Sequence, residues 1–328
     1  MLNAQQANDR DRWRAAKIMG CVLGGLGAML LALEIGLRII LGFGSSVLFI
    51  TDVHYGYFPK KNQHVRRFFV HIDTNRFGMR SAPISEFKER GEYRILFVGD
   101  SVAFGTSYVD QKYIFSERIA TYFRSVKGRH FTVLNASAPG WAPSNEFEYL
   151  KAKGLYAADM VVMVYNTNDL AQPFAAYQGP PLFPVKNPST AIGELWSRYL
   201  EPRIFCIPPV VDPGSTSDEG RPSSANEARV MGTIESTRQL VSSKGARMVI
   251  IFSPAVSRDV RRNQADWDSA LANLKKWAGR ENVTILDMTR PMSTHPMASL
   301  YFDGIHLRPA GDQLIADSFI GRFGAELN

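Results

Sequence analysis

Ile95-Leu-Phe-Val98 is an unbroken apolar run that stops at Gly99-Asp100-Ser101. A strand with one wet face alternates apolar and polar residues, whereas a strand covered by helices on both faces reads as continuously apolar. Tyr93–Val98 is therefore expected to be a buried parallel strand. The pattern recurs at Phe131–Ala136, Met160–Tyr165, Arg247–Phe252 and Val283–Asp287. Helical stretches separate these runs. One spans about 113–126, with Phe115, Ile119, Phe123 and Val126 on one face and Gly128 at its end; another has Ser144 as N-cap and ends at Gly154. Ser224-x-x-Glu227 has capping-box form, Trp267, Leu271 and Leu274 mark a further helix, and Pro309 opens the last. Alternating strands and helices predict an α/β domain over 93–328, with helices on both faces of a parallel sheet.

The two ends of the chain differ in kind. Ile18–Gly42 is apolar enough to cross ~30 Å of hydrocarbon as a helix. Glu34 and Arg38, four residues apart, can pair near its far end. A cleaved signal peptide fits worse, since the run is long, carries charge and has no small-x-small site close behind it. Residues 1–17 are basic, and no lysine or arginine falls between Arg38 and Lys60. Positive-inside logic leaves residues 1–17 in the cytoplasm and sends the bulk of the chain to the periplasmic side of the inner membrane. Residues 43–92 turn short and β-like, as in Arg67-Phe-Phe-Val-His-Ile72, and are expected to form a stalk and small hairpin packing on the main domain. His54, His64 and His71 fall there without metal-ligand spacing.

The net charge of +7 over 328 residues includes no basic block interleaved with aromatics, which disfavours nucleic acid as a partner. The two cysteines, Cys21 and Cys206, lie in an apolar segment and a distant proline-rich one, and no disulfide is expected between them. Ten of the eighteen prolines fall between Leu170 and Pro222. So long a connection in a compact domain marks a lid or binding loop, and 170–222 is expected to act as a cap over the site, with a short amphipathic helix at Ser189–Leu200.

A serine hydroxyl becomes a nucleophile when an oriented base takes its proton and fixed donors meet the oxyanion. Ser101 follows the first strand. Gly140, after the second, can bring a backbone N–H close to a ligand, and Asn168, after the third, can offer its side-chain amide. In Asp303-Gly-Ile-His306 the carboxylate can reach the imidazole and fix its tautomer.

Gly99-Asp100-Ser101, Gly140, Asn168-Asp169 and Asp303-x-x-His306 together resemble the four blocks of the SGNH branch of the GDSL hydrolases. The resemblance covers Tyr93 to the C-terminus. It implies a three-layer α/β/α, flavodoxin-like fold with Ser101 as nucleophile, His306 as base and Asp303 orienting it. It also implies an oxyanion hole from the N–H groups of Ser101 and Gly140 and the Asn168 amide, with no cofactor or metal. One position departs: the family has glycine where this chain has Asn166, and asparagine is expected to keep the turn because it tolerates left-handed backbone. The implied activity is that of a membrane-anchored serine esterase. Its substrate would be an ester-bearing small molecule, glycan or lipid, first of all a short acyl group such as acetyl on an envelope glycan. An O-acyltransferase using the same triad, a lipase-like enzyme and a non-catalytic glycan-binding protein are the alternatives.

Overall fold

The computed structural model describes residues 2–85, 87–126, 130–180, 182–205 and 222–327. The expectations for Gly128 and Cys206 lie outside these residues. The chain divides into two compact units, one of residues 1–46, 67–69 and 187–208, the other of 47–66, 70–186 and 209–328.

The larger unit is built on a five-stranded parallel sheet. Two antiparallel pairs precede it: β1 (Phe49–Asp52) with β2 (Gly56–Pro59), and β3 (Gln63–Arg67) with β4 (Val70–Thr74). The sheet comprises β5 (Glu92–Gly99), β6 (His130–Ser137), β7 (Met160–Asn166), β8 (Arg247–Ser253) and β9 (Thr284–Asp287), in the spatial order β6-β5-β7-β8-β9. Successive side chains of a strand point to opposite faces. Ile95 and Phe97 of β5 pack with Val162, Val249, Phe115 and Phe319, whereas Leu96 and Val98 pack with Val161, Ile250, Tyr149, Ile234 and Leu274. Helices 115–125 and 309–327 thus cover one face, and helices 143–153, 224–243 and 264–280 the other. This is the three-layer doubly wound arrangement, in which the strand order reverses at β5 and ligands gather beyond the carboxyl ends of the strands.

Residues 47–66 and 70–92 share the sheet's core. Tyr55, Tyr57, Phe58 and Met79 are buried with Trp141 and Tyr149. Within Arg67–Ile72 the chain turns at Phe68 and Phe69, which join β3 to β4 and both take left-handed backbone, at φ 47° and 64°. The cost of that conformation is offset within the smaller unit, where the Arg67 guanidinium lies 5.0 Å from the rings of both Phe43 and Phe68.

The smaller unit contains the N-terminal helix, Leu2–Gly36, which widens into a π-turn at Leu37–Leu41 and ends on left-handed Gly42. Within it, Arg12–Leu41 is long and apolar enough to cross a membrane. Glu34 and Arg38 do pair, with Nε 2.7 Å from Oε1. The insertion expected as a single cap is divided: 170–186 falls in the larger unit, 187–205 packs with the N-terminal helix, and 206–221 lies outside the described residues.

Two helix starts differ from expectation. Ser223, not Ser224, caps helix 224–243, accepting the Asn226 N–H at 3.2 Å. Ser144 is the second residue of helix 143–153, whose N-cap is Ala142; the Asn145 side chain reaches back to its N–H at 3.2 Å. Serine caps at more than one offset, and nearby polar side chains decide the register.

Asp312, in the first turn of helix 309–327, accepts the Phe115 N–H at 2.9 Å and so joins that helix to the start of helix 115–125. Its other oxygen is buried without a partner among the described residues. Complete burial pushes this carboxyl up to about 8 against the attraction of Arg80 and Arg118. The folded state therefore holds a proton that the unfolded chain releases, and wild-type stability falls as pH rises between the ordinary value of 3.8 and about 8. Asp312→Asn keeps the acceptor and removes this dependence. It is expected to gain on wild type by up to about 1.4 kcal/mol per pH unit across that window. Urea midpoints measured at several pH values check this, and a constant difference contradicts it.

Candidate active site

The site begins where β5 stops. Gly99 leaves no room for a side chain, since a Cβ there would stand 2.8 Å from the Val164 carbonyl oxygen and 2.7 Å from the Ala103 Cβ. Asp100 caps the short helix 101–104 by accepting the Val102 N–H at 2.8 Å, which sets Ser101 in its first turn. Ser101 is buried, and its Oγ lies 3.1 Å from His306 Nε2 and 3.3 Å from Asp100 Oδ2.

His306 arrives from a loop more than two hundred positions later, closed by the Tyr301–Leu307 bridge. Its Nδ1 stands 2.6 Å from Asp303 Oδ2, while Asp303 Oδ1 accepts the N–H groups of Ile305 at 3.1 Å and His306 at 2.9 Å. Partial burial alone would push the Asp303 carboxyl up, but the His306 ring and these N–H groups hold it well below the usual carboxylate range. A carboxylate so held keeps Nδ1 protonated and leaves Nε2 as the acceptor facing Ser101. Gly304 takes φ +95°, and its carbonyl accepts the Val256 N–H at 2.7 Å, fixing the loop to the end of β8.

The remaining site residues sit beyond the strands that flank β5. Gly140 follows β6 with φ +79°, a conformation that favours glycine. Tyr57 of β2 holds its loop from both sides: the Tyr57 hydroxyl donates to the Pro139 carbonyl at 2.7 Å, and Trp141 Nε1 donates to the Tyr57 carbonyl at 2.9 Å. Gln172 donates to the Gly140 carbonyl at 3.1 Å. Asn168 follows β7, half-buried, at the start of a 3-10 turn. Ser101, His306 and Asp303 are thus joined in one hydrogen-bond series, and Gly140 and Asn168 flank it from the two neighbouring strand ends.

Asn166 works differently from the expectation that it would supply left-handed backbone. It stays extended as the last residue of β7, and its side chain does the positioning. Its Nδ2 donates to Asp100 Oδ2 at 2.8 Å, and its Oδ1 accepts the Asn168 N–H at 2.7 Å. One amide therefore ties the turn that carries Ser101 to the turn that carries Asn168, a link a glycine could not make.

Sequence reasoning missed the support of the loop behind Ser101. In Asn75-x-x-Gly78-x-Arg80, Asn75 Oδ1 accepts the Phe77 and Met79 N–H groups at 2.9 and 3.2 Å. Arg80, fully buried, donates to the carbonyls of Phe104, Thr106 and Val109 at 2.8, 2.7 and 2.6 Å, and to Gln111 at 3.0 Å. Glu146, fully buried in helix 143–153, was also missed. Its carboxyl is pushed well above the usual range by burial and then by the charge of Asp100. Among the described residues no cluster of histidine, cysteine or carboxylates could hold a metal ion.

A doubly wound sheet with serine, imidazole and carboxylate in series at its carboxyl edge is the equipment of an acyl-bond hydrolase. The chain belongs to the GDSL-like lipase/acylhydrolase family, which residues 97–314 match, and is accordingly an ester-bond hydrolase. No curated protein matches it. Among solved structures it is similar to a lipase/acylhydrolase from Enterococcus faecalis, at 15% identity and a TM-score of 0.48 over 72% of this chain and 97% of that one. It is also similar to a lipolytic protein of the G-D-S-L family from Veillonella parvula (15%, TM-score 0.47, 71% and 98%). A catalytic mutant of an acetylxylan esterase from Geobacillus stearothermophilus matches at 14% identity and a TM-score of 0.47, over 71% of this chain and 94% of that one.

Proposed function

We propose that this hydrolase is a serine esterase that removes a short acyl group, such as acetyl, from an envelope glycan through an acyl-enzyme on Ser101. The observation that carries the reading is the unbroken series from Ser101 Oγ through His306 to Asp303, at 3.1 and 2.6 Å. Ser101 Oγ bonds to the ester carbonyl carbon as its proton passes to His306 Nε2. The tetrahedral oxyanion faces the N–H groups of Ser101 and Gly140 and the Asn168 amide. The alcohol leaves with the proton from His306, and a water deprotonated by the same imidazole then releases the acid and restores Ser101.

Arg12–Leu41 is read as a single-pass anchor in the inner membrane, with the hydrolase on the periplasmic side, as the basic tail suggests. The tie of Glu34 to the backbone N–H groups of Ala191 and Ile192, at 2.8 and 2.9 Å, supports retention of this helix, because its last turns belong to a folded unit. The test is hydrolysis by the full chain of esters of graded acyl length, alongside an O-acetylated polysaccharide. Acetyl esters are expected to turn over fastest, with free acetate as product. A rate that rises with chain length, or acetyl appearing on an added sugar instead of as acetate, contradicts this.

A further inference from the structure

Thr190 accepts the Gly193 N–H at 3.0 Å, and from there helical turns run without a break through Ala191–Leu195, Trp196–Leu200 and Glu201–Ile204. One side of this segment faces its own unit. Ala191 is fully buried, and Ile192, Leu195 and Tyr199 pack with Leu37, Leu41, Phe43 and Phe68. The buried Glu194 carboxylate accepts the Gly44 N–H at 2.7 Å and pairs with Arg67 and Arg198 at 2.7 and 3.1 Å. At the segment's start Glu34 takes the N–H groups of Ala191 and Ile192, and Arg38 donates to the Ser189 carbonyl at 2.9 Å. Charge-assisted bonds of this kind are among the strong ones, so the segment is fixed to the last turns of the N-terminal helix.

A row of apolar side chains beside this packed side is uncovered. Trp196, Leu200, Ile204 and Phe205 are 46%, 41%, 58% and 64% exposed. Ile39 and Ile40, on the π-turn against which the segment packs, are 66% and 59% exposed. A water-facing surface rarely keeps so contiguous an apolar set, and tryptophan and arginine together suit the headgroup layer, where an apolar body and a polar end both find partners.

We infer that residues 191–205 are a membrane-surface element, lying in the headgroup layer where the N-terminal helix leaves the bilayer, with Trp196, Leu200, Ile204 and Phe205 turned into lipid. The inference rests on the reading of Arg12–Leu41 as a membrane anchor. Lipid is the occupant because the exposed apolar side chains of the segment continue those of Ile39 and Ile40, which the same bilayer would cover. Arg203, exposed on the same segment, is placed to meet a lipid phosphate. This gives the middle of the proline-rich insertion a role in holding the anchor unit at a set depth, rather than in capping the active site.

The full chain, reconstituted in vesicles containing phosphatidylcholine brominated near the headgroup, tests it through tryptophan quenching. Trp196→Phe and Trp13→Phe isolate two signals by difference, and Trp141, Trp267 and Trp277, buried in the hydrolase unit, form a common background. The Trp196 signal is expected to be quenched at least as strongly as that of Trp13, and the Leu200→Ser/Ile204→Ser double variant to lose part of this quenching. Quenching of Trp13 with none of Trp196 overturns the membrane-surface element and leaves the anchor standing. Absence of both overturns the anchor, and the proposal with it.

Discussion

His306→Gln is expected to lower kcat for a short acyl ester by about 10⁴-fold or more, as removal of a triad base does elsewhere, with KM and the unfolding midpoint little changed. Glutamine keeps a polar side chain near Asp303 but offers no basic nitrogen at the position of Nε2, so the Ser101 proton has no acceptor as Oγ attacks. The His306 ring is partly exposed and makes its hydrogen bonds to Asp303 and Ser101, which is why the loss should fall on turnover rather than folding. Asp303→Asn should follow the same pattern, because an amide nitrogen facing Nδ1 favours the wrong tautomer. Steady-state kinetics with an aryl acetate reads both, and retention of activity within about tenfold of wild type would remove the imidazole from the mechanism.

Arg80→Met is expected to cost about 3–5 kcal/mol, because it leaves three buried backbone carbonyls without a donor while filling the volume. Burial pushes this guanidinium down to about 10, so it remains a cation at neutral pH. Lysine is no substitute, since one ammonium cannot match a planar fork that spans Phe104, Thr106 and Val109. These three carbonyls belong to the loop immediately behind Ser101. The variant should therefore lose turnover even where it stays folded. Urea unfolding measures the cost, and a change below about 1 kcal/mol would mean that water satisfies these carbonyls and that Arg80 does not clamp the loop.

How much of this was legible follows from how local each signal is. A parallel strand covered on both faces is apolar throughout, so all five sheet strands lie within about a residue of the runs that announce them. Ser101 and the Asp303/His306 pair were legible because each is short-range, a residue type at a strand end or a spacing across one turn. Supports made across the fold carry no such mark. Tyr57 reads as one aromatic among several, and Arg80 as one arginine among many, until β2 and the 104–109 loop are brought beside them. The role of Asn166 was misread because a rule about backbone conformation was applied where a side-chain amide acts. The 187–205 segment was assigned by its place in the chain, next to β7. Its partners are Glu34, Arg38 and Arg67, and charge pairing between distant segments has no periodicity to betray it.

The central claim is that Ser101 is the nucleophile of this hydrolase, and covalent capture tests it most directly. A fluorophosphonate incubated with the purified full chain should phosphonylate one residue, mapped by mass spectrometry to the peptide containing Ser101, with loss of esterase activity in step. Ser101→Ala should take up no label and His306→Gln should label far more slowly. Stoichiometric labelling of another residue, or undiminished labelling of Ser101→Ala, would contradict the account.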